Sequence, residues 1–170
     1  MKLDITCDWR GKLLARQEHV EVLLRRVEGG AQITIRAPFY GDPAPEAPPS
    51  SVPGLWEFEV VEIFIAGPGS PIPYTEIEVG PAGHHLVLTL RGVRQPTASG
   101  LPLRVEAHID GDRWNATAFI DDSLLPPIPW RVNATSIHGL ADRRAYASTA
   151  VLPGDAPDFH QPDVFLEWVD

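Results

Sequence analysis

Glutamates stand inside the first two of three consecutive apolar stretches of the chain, between Trp56 and Arg91. The first stretch reads WEFEVVEIFIAG, the second YTEIEVGPAG, and the third opens on paired histidines as HHLVLTLR. A carboxylate on a buried strand face must be paired, coordinated or functional, because burying it alone costs on the order of several kcal/mol or makes it take up a proton. Lys and Arg are absent from residues 37–90. A basic partner must therefore come from a distant part of the fold, or from a ligand.

Glu62 is the strongest single candidate in these stretches. Because successive strand side chains face opposite ways, Glu62 shares its face with aromatic and valine side chains of the same strand. Two interpretations stay open. Glu62 is either a structural ion-pair partner of Arg143, Arg144 or His138, or a hydrogen-bond acceptor or metal ligand in a pocket.

The next two strands add further candidates. Alternation puts Tyr74, Glu76 and Glu78 on one face, which favours a solvated strand surface and leaves a concave groove as the alternative. His84 and His85 follow a Gly-Pro-Ala-Gly turn, where they either cap a hairpin or reach a ligand.

A later region supplies the cationic and aromatic groups that the acidic strands lack. It contains the segments SIHG, DRRAY and PDFH, the last of which ends at His160. His138 falls on an apolar strand face, which is more typical of a core histidine than of a ligand. Arg144 and Tyr146 lie two residues apart and could together approach a sugar or a carboxylate.

Length and composition favour one soluble domain, residues 1–170. A net charge of −9 and a pI near 5.0 argue against nucleic acid or an anionic membrane as partner, because phosphates would be repelled. The single cysteine excludes an internal disulfide and a cysteine-based zinc site. Without an apolar signal segment or a run of about 18 apolar residues, we expect a cytoplasmic protein.

The elements that must position these residues are short strands. The 18 prolines and 14 glycines punctuate the chain every ten or so residues, which predicts an all-β antiparallel sandwich with little helix, apart from a turn near 123–125. A proline-rich loop at 38–53 is expected to form a wall or roof of a binding site. The predicted strands are 3–9, 20–27, 32–39, 55–65, 74–79, 84–90, 103–109, 114–120, 130–138 and 164–168.

Four blocks carry a resemblance that covers nearly the whole chain: LWEFEVVEIFIAG, YTEIEVGPAGHHLVLTLRG, SIHGLADRRAYAS and PDFH. In this order they resemble an uncharacterised protein family of bacteria and animals. The first two blocks are also similar to carbohydrate-binding modules of family nine and to the related DOMON-type sandwiches. The resemblance implies a jelly-roll or immunoglobulin-like sandwich whose concave face or loop end binds sugars.

The motifs carry over residue by residue. Trp56 and Glu62 fall on the tryptophan and glutamate of the first motif, whereas Tyr74, Glu76 and His85 fall on the second. Relatives of this type hold structural calcium or, in some DOMON domains, haem. Haem is not expected here, because the chain has no methionine beyond the first residue to act as a second ligand. No other resident cofactor is expected, although calcium or another divalent ion stays open.

The function favoured by these observations is non-catalytic binding of a small carbohydrate or polyol-like molecule in a concave pocket. Two alternatives remain: a metal-dependent enzyme with His and Glu ligands, and a structural or interaction domain whose buried charges serve only the fold. We expect Trp56, Glu62, His85, His138 and Arg144 to converge beneath the proline-rich loop. The predicted ligand-binding residues are Trp56, Glu62, Tyr74, Glu76, His85, His138, Arg144 and Tyr146. Candidate metal ligands, if a metal binds, are His84, His85, His138, His160 and Glu62.

Overall fold

The computed structural model describes residues 1–169 as two antiparallel β-sheets stacked face to face. Short 3-10 turns interrupt the strands, including Leu55–Glu57, Asp122–Leu124 and Ala141–Arg143. In chain order the strands are β1 (Lys2–Ile5), β2 (Val20–Val27), β3 (Gly30–Pro38), β4 (Val60–Ala66), β5 (Pro73–Val79), β6 (His85–Arg91), β7 (Pro96–Ser99), β8 (Arg104–Asp110), β9 (Arg113–Asp121), β10 (Arg131–His138), β11 (Ala145–Ser148) and β12 (Leu166–Glu167).

The two sheets differ in size and in what covers them. The smaller has the order β1-β2-β3-β9-β8, and the larger has the order β11-β10-β4-β5-β6-β7, with β12 paired to β10 beside β11. Strands β4 and β5 lie in the middle of the larger sheet, so both of their edges are hydrogen-bonded.

The main core lies between the sheets. Alternation sends Val61, Ile63 and Ile65 of β4 into this layer, where they join Ile33 and Ile35 of β3 in one buried apolar cluster. Aliphatic side chains of this kind contribute roughly 1.5–3 kcal/mol each when fully buried. The interior between the sheets is therefore the principal source of stability.

The larger sheet is buried on its second face as well. A separate cluster there joins Phe64 and Tyr74 of the sheet to Phe159 and Phe165 of the C-terminal segment. This explains why every residue of β4 is buried, and why its sequence reads as a continuous apolar run with one glutamate. The covering segments do not close over the whole face, and the gap holds the candidate site.

The predicted all-β sandwich is confirmed. Its ten predicted strands correspond to observed ones, β2 with the predicted bounds and the other nine with shifted ends. Residues 55–59 precede β4 instead of belonging to it, because the chain makes a 3-10 turn there. Strands β7 and β11 were not predicted; each has only four residues, too short for alternation to show. Among residues 1–169, no helix is long and apolar enough to cross a membrane.

Candidate functional site

A cavity of about 560 Å³ opens on the second face of the larger sheet. Its floor consists of side chains from three neighbouring strands: Glu62 and Phe64 of β4, Glu76 of β5, and Leu88 and Leu90 of β6. These residues share one face because each lies an even number of positions from the next along its strand, and the antiparallel register aligns the strands.

The walls of the cavity come from loops that are distant in sequence. Trp56 stands at the turn before β4. Arg144 immediately precedes β11, and Tyr146 lies within that strand. Phe159 and His160 belong to the C-terminal segment that crosses this face. Trp56 is 46% exposed, whereas Phe159 is buried. The cavity therefore combines an accessible aromatic wall with a carboxyl-bearing floor.

The carboxylates of three glutamates lie close together, at the floor of the cavity and just beneath it. Glu62 is directly opposite Glu78 in the β4–β5 register, and Glu76 is two residues from Glu78 on the same face. One carboxylate oxygen from each lies within 4.8 Å of the others. Their exposed fractions are only 2%, 4% and 0% for Glu62, Glu76 and Glu78. Such a set of buried carboxyl groups cannot be fully ionised without a compensating positive charge.

Burial and mutual repulsion raise the pKa of all three groups. Loss of hydration is the largest cause for Glu62, whose ionised form is partly favoured by Thr135 and the Arg144 guanidinium. For Glu76 and Glu78, burial comes first, and the neighbouring carboxylates of the cluster raise the pKa further. At neutral pH the cluster therefore binds protons, or another positively charged species, more strongly than exposed glutamates do.

Hydrogen bonding within the cluster is uneven. The Thr135 hydroxyl donates to Oε2 of Glu62 over 2.6 Å. Neither carboxylate oxygen of Glu78 has a hydrogen-bond partner of normal geometry among residues 1–169, although the nearby Trp56 backbone slightly favours the ionised form. A fully buried carboxyl group without a partner is rare in folded proteins and indicates a missing proton or ligand.

Arg144 fixes the wall opposite the glutamates. Its guanidinium donates to the backbone carbonyls of Trp56, of Glu57 at 2.9 Å and of Gly139 at 3.0 Å. These bonds hold the turn that presents the Trp56 side chain. The charge of Arg144 still favours ionised Glu62, but its N–H groups are engaged by carbonyls and do not form a direct ion pair with it.

His160 lies beside Glu76, with 3.9 Å between Nε2 and the Glu76 Oε2 atom. The buried hydroxyl of Tyr74 lies 2.9 Å from Nδ1 of His160, and the backbone N–H of Arg94 donates to the same hydroxyl over 3.1 Å. Burial, helped by the charge of Arg94, lowers the pKa of His160 to about 4. At neutral pH this imidazole is uncharged and does not neutralise the glutamates.

The structure brings together five of the eight predicted ligand-binding residues on the cavity wall: Trp56, Glu62, Glu76, Arg144 and Tyr146. Tyr74 lies beneath the surface, where its hydroxyl contacts two residues that line the cavity, His160 and Arg94.

His85 and His138 do not reach the cavity, so the expected convergence of these histidines with Glu62 is wrong. Both belong to strand positions that face the other way. His138 stacks on Tyr40 with 3.5 Å between ring centroids, beside a separate cavity of about 310 Å³. His85 lies at the first position of β6, with its Nδ1 atom 3.2 Å from the Gly83 carbonyl oxygen.

Three further expectations need correction. Glu76 and Glu78 are buried, because the C-terminal segment covers the face that alternation alone left open to solvent. The proline-rich loop does not roof the cavity; it packs beside Glu59 and His84, whose Nε2 is 2.7 Å from the Ala47 carbonyl. Within residues 1–169, the cluster with metal-ligand spacing contains Glu62 and two other glutamates, and none of the four candidate histidines.

Sequence reasoning missed Glu78, Arg94 and Phe159 as site residues. Glu78 could have been found, since alternation already placed it on the face of Glu76. Phe159 was inside the recognised PDFH block, without any pattern to indicate that it covers the sheet. Arg94 reaches the cavity from a turn between β6 and β7 and pairs with Asp158 at 2.8 Å, a contact that no local pattern predicts.

Structure comparison defines the class of fold. The chain aligns with a protein of Bacteroides uniformis proposed to bind carbohydrate, with a TM-score of 0.76, 13% identity, and coverage of 98% of this chain and 84% of that chain. It also aligns with a family 9 carbohydrate-binding module of Caldicellulosiruptor kristjanssonii in complex with cellotriose, with a TM-score of 0.59, 14% identity, and coverage of 91% and 75%. The fold is therefore that of the family-nine-like carbohydrate-binding β-sandwiches.

Sequence comparison defines the family. The chain is 36% identical over 176 aligned positions to the mouse UPF0462 protein C4orf33 homolog, covering 97% of this chain and 89% of the mouse protein. The human UPF0462 protein C4orf33 is 34% identical, with coverage of 97% and 86%. No family model matches the sequence. The chain belongs to the UPF0462 family, which confirms the predicted resemblance to an uncharacterised family with a family-nine-like fold.

Proposed function

We propose that this protein binds a small carbohydrate or polyol-like ligand in the 560 Å³ cavity on the second face of the larger sheet. The observation that carries the proposal is the pairing of accessible aromatic groups with carboxyl groups in one cavity. Sugars present apolar C–H faces and many hydroxyl groups, so their sites combine flat aromatic side chains with polar acceptors. The fold shared with carbohydrate-binding proteins adds support.

Trp56 and Tyr146 are suited to contact the apolar face of a sugar ring. The side chain of Trp56 is almost half exposed although its backbone is held by Arg144, so it is presented on a rigid turn. Glu62 and Glu76 line the same cavity and are suited to accept or donate hydrogen bonds to hydroxyl groups. A cavity of this size accommodates a mono- or disaccharide-sized molecule.

The test is calorimetric titration and thermal unfolding of the full chain against a panel of mono- and disaccharides and linear polyols. A ligand at a hundred times its dissociation constant raises the unfolding midpoint by about 5–10 °C for a domain of this size. Trp56→Ala should weaken binding at least about tenfold, and Trp56→Phe less, because the phenyl ring keeps part of the stacking surface.

Leu13→Ala serves as the control, because Leu13 is an exposed apolar residue that does not line the cavity. It should bind the ligand as the unmodified chain does. A panel without any binder, or a binder insensitive to Trp56→Ala, would contradict the proposal. The absence of any binder would favour the structural or interaction domain.

The metal-dependent enzyme is less well supported, because the candidate histidines do not join the glutamates in one cluster among residues 1–169. Cytoplasmic location, the absence of nucleic-acid and membrane partners, the absence of haem and the DOMON-type relationship all stay predictions.

A further inference from the structure

We propose that Glu62, Glu76 and Glu78 together bind a hard divalent cation of the calcium type at the floor of the cavity. This inference goes beyond the proposed sugar binding and does not depend on it. It rests on three observations: the spacing of the three carboxylates, the unpartnered state of Glu78, and the lack of a direct cationic partner in the protein.

The spacing suits an oxygen-coordinated ion. One oxygen from each glutamate lies within 4.8 Å of the other two. Calcium binds oxygen at about 2.3–2.6 Å, so ligands on opposite sides of one ion are separated by up to about 5 Å. The three carboxylates are therefore close enough for small side-chain adjustments to bring one oxygen of each onto a single ion. The three residues are also on adjacent, doubly hydrogen-bonded strands, which fixes their positions.

The unpartnered oxygens of Glu78 point to a ligand in that space. Glu78 is fully buried, and within residues 1–169 neither of its oxygens receives a hydrogen bond of normal geometry. Its carboxylate belongs to the same cluster as those of Glu62 and Glu76. A buried acceptor of this kind loses hydration without replacement, unless a proton or cation occupies the position next to it.

The side chains of the protein provide no direct ion-pair partner for this charge. Across the described chain no salt bridge reaches Glu62 or Glu78, and the contact of Glu76 with His160 is long, at 3.9 Å. Arg144 directs its N–H groups to backbone carbonyls. Thr135 steadies one oxygen of Glu62 through a hydroxyl group, as residues behind metal ligands commonly do.

The chemistry of the ligands selects the type of ion. Three carboxylates offer oxygen only, which favours calcium or manganese over zinc and copper. Magnesium fits less well, because it requires near-ideal octahedral geometry and gives up its water reluctantly. Since Glu62 and Glu76 line the cavity, the remaining coordination positions of the ion can face the open space.

The test is calcium titration of the full chain after treatment with chelator, in the absence of any carbohydrate, by calorimetry and thermal unfolding at pH 7.5. Magnesium, manganese and zinc form parallel arms. We expect one calcium per chain, a higher unfolding midpoint, and at least about tenfold weaker binding in Glu78→Gln, which removes one ligand charge at nearly constant volume. Glu76→Gln is a second variant with the same expected loss.

Glu59→Gln is the matched control, because Glu59 is also buried but lies outside the cluster and accepts backbone N–H groups. It should bind calcium as the unmodified chain does. The proposal is overturned if none of the ions binds at millimolar concentration, in which case the cluster shares protons instead. It is also overturned if calcium binding survives both cluster variants, or if zinc alone binds. Since no sugar is present, these outcomes do not bear on the sugar-binding proposal.

Discussion

Glu59 and Glu78 are both buried glutamates near the same end of the larger sheet, yet their surroundings are opposite. The Glu59 carboxylate accepts the backbone N–H groups of Tyr40 at 3.1 Å and Asp42 at 3.3 Å, one on each oxygen. Glu78 has no such donor among residues 1–169 and lies against two other glutamates. Burial alone therefore does not identify a functional carboxylate. The informative feature is whether the protein itself satisfies the group.

The two faces of β4 show the same contrast. Val61, Ile63 and Ile65 face the other sheet in the apolar core, whereas Glu62 and Phe64 face the cavity. The first face stabilises the sandwich, and the second keeps polar groups that an ordinary core would exclude. Substitutions on the two faces should therefore differ in their effects on stability and on binding.

The largest loss of stability should come from the apolar face. Ile63→Ala should lower the free energy of unfolding by about 2–5 kcal/mol, because it leaves a cavity in the layer between the sheets. Glu62→Gln, on the opposite face of the same strand, should lower the free energy of unfolding far less. The amide keeps the side-chain volume and an oxygen that accepts from Thr135. Urea unfolding of both variants checks this difference. Equal losses would mean that the two faces do not have separate roles.

The pH dependence should expose the glutamate cluster in chelator-treated protein. The folded pKa values of Glu62, Glu76 and Glu78 are raised, so the unfolded chain releases these protons first, near the ordinary value of 4.5. The contribution of these three groups to the stability of the folded protein is therefore greatest at low pH. It is lost as the pH rises from about 4.5 through their raised pKa values. Over that range, each carboxyl group that keeps its proton in the folded state lowers the free energy of unfolding by about 1.4 kcal/mol per pH unit.

His160 changes the stability in the opposite direction, over a narrower range of pH. Its pKa is lowered to about 4, so the unfolded chain binds the additional proton between about pH 4 and 6.5, and stability rises with pH there. Burial also lowers the pKa of His138, which acts in the same direction as His160. Above about pH 6.5 neither histidine opposes the three carboxyl groups, so stability should fall with pH there. Denaturant midpoints measured from pH 4 to 9, with and without calcium, check this. A flat profile above pH 6.5 in chelator would contradict the raised pKa values.

Much of this arrangement could be predicted from the sequence, because alternation along a strand is a local property. It placed Glu62 on the face of Phe64, Glu76 with Glu78, and His138 on the apolar face, and all of these positions are as observed. The expected convergence of His138 with Glu62 is wrong, because alternation within one strand does not fix which faces of β4 and β10 align.

What could not be predicted is which distant segment covers which face. Arg144 contacts the turn at Trp56 across 88 positions of the chain, and His160 reaches Tyr74 across 86. Such contacts depend on the closure of loops over the sheet, for which no periodic pattern exists. For the same reason the proline-rich loop, recognisable by composition, was assigned to the wrong cavity.

The contrast between Glu59 and Glu78 predicts opposite changes in stability on conversion to glutamine. Glu59→Gln should lower the free energy of unfolding by about 1–3 kcal/mol, because the amide NH₂ replaces a carboxylate oxygen that accepts a backbone N–H. Glu78→Gln should stabilise chelator-treated protein by roughly 1 kcal/mol, since it removes one member of a repelling set. Thermal unfolding at pH 8 measures both. A large loss in Glu78→Gln would show that this carboxyl group is already satisfied within the fold.

Trp56→Ala should have the smallest effect on stability and a large effect on binding. Its side chain is nearly half exposed, and Arg144 bonds to its backbone carbonyl, which the substitution retains. Changes at such positions usually stay within about 0.5 kcal/mol. We therefore expect an unchanged urea midpoint, unchanged calcium binding and loss of carbohydrate binding. A marked loss of stability would mean that the indole serves the fold, which would remove the main aromatic support for a sugar site.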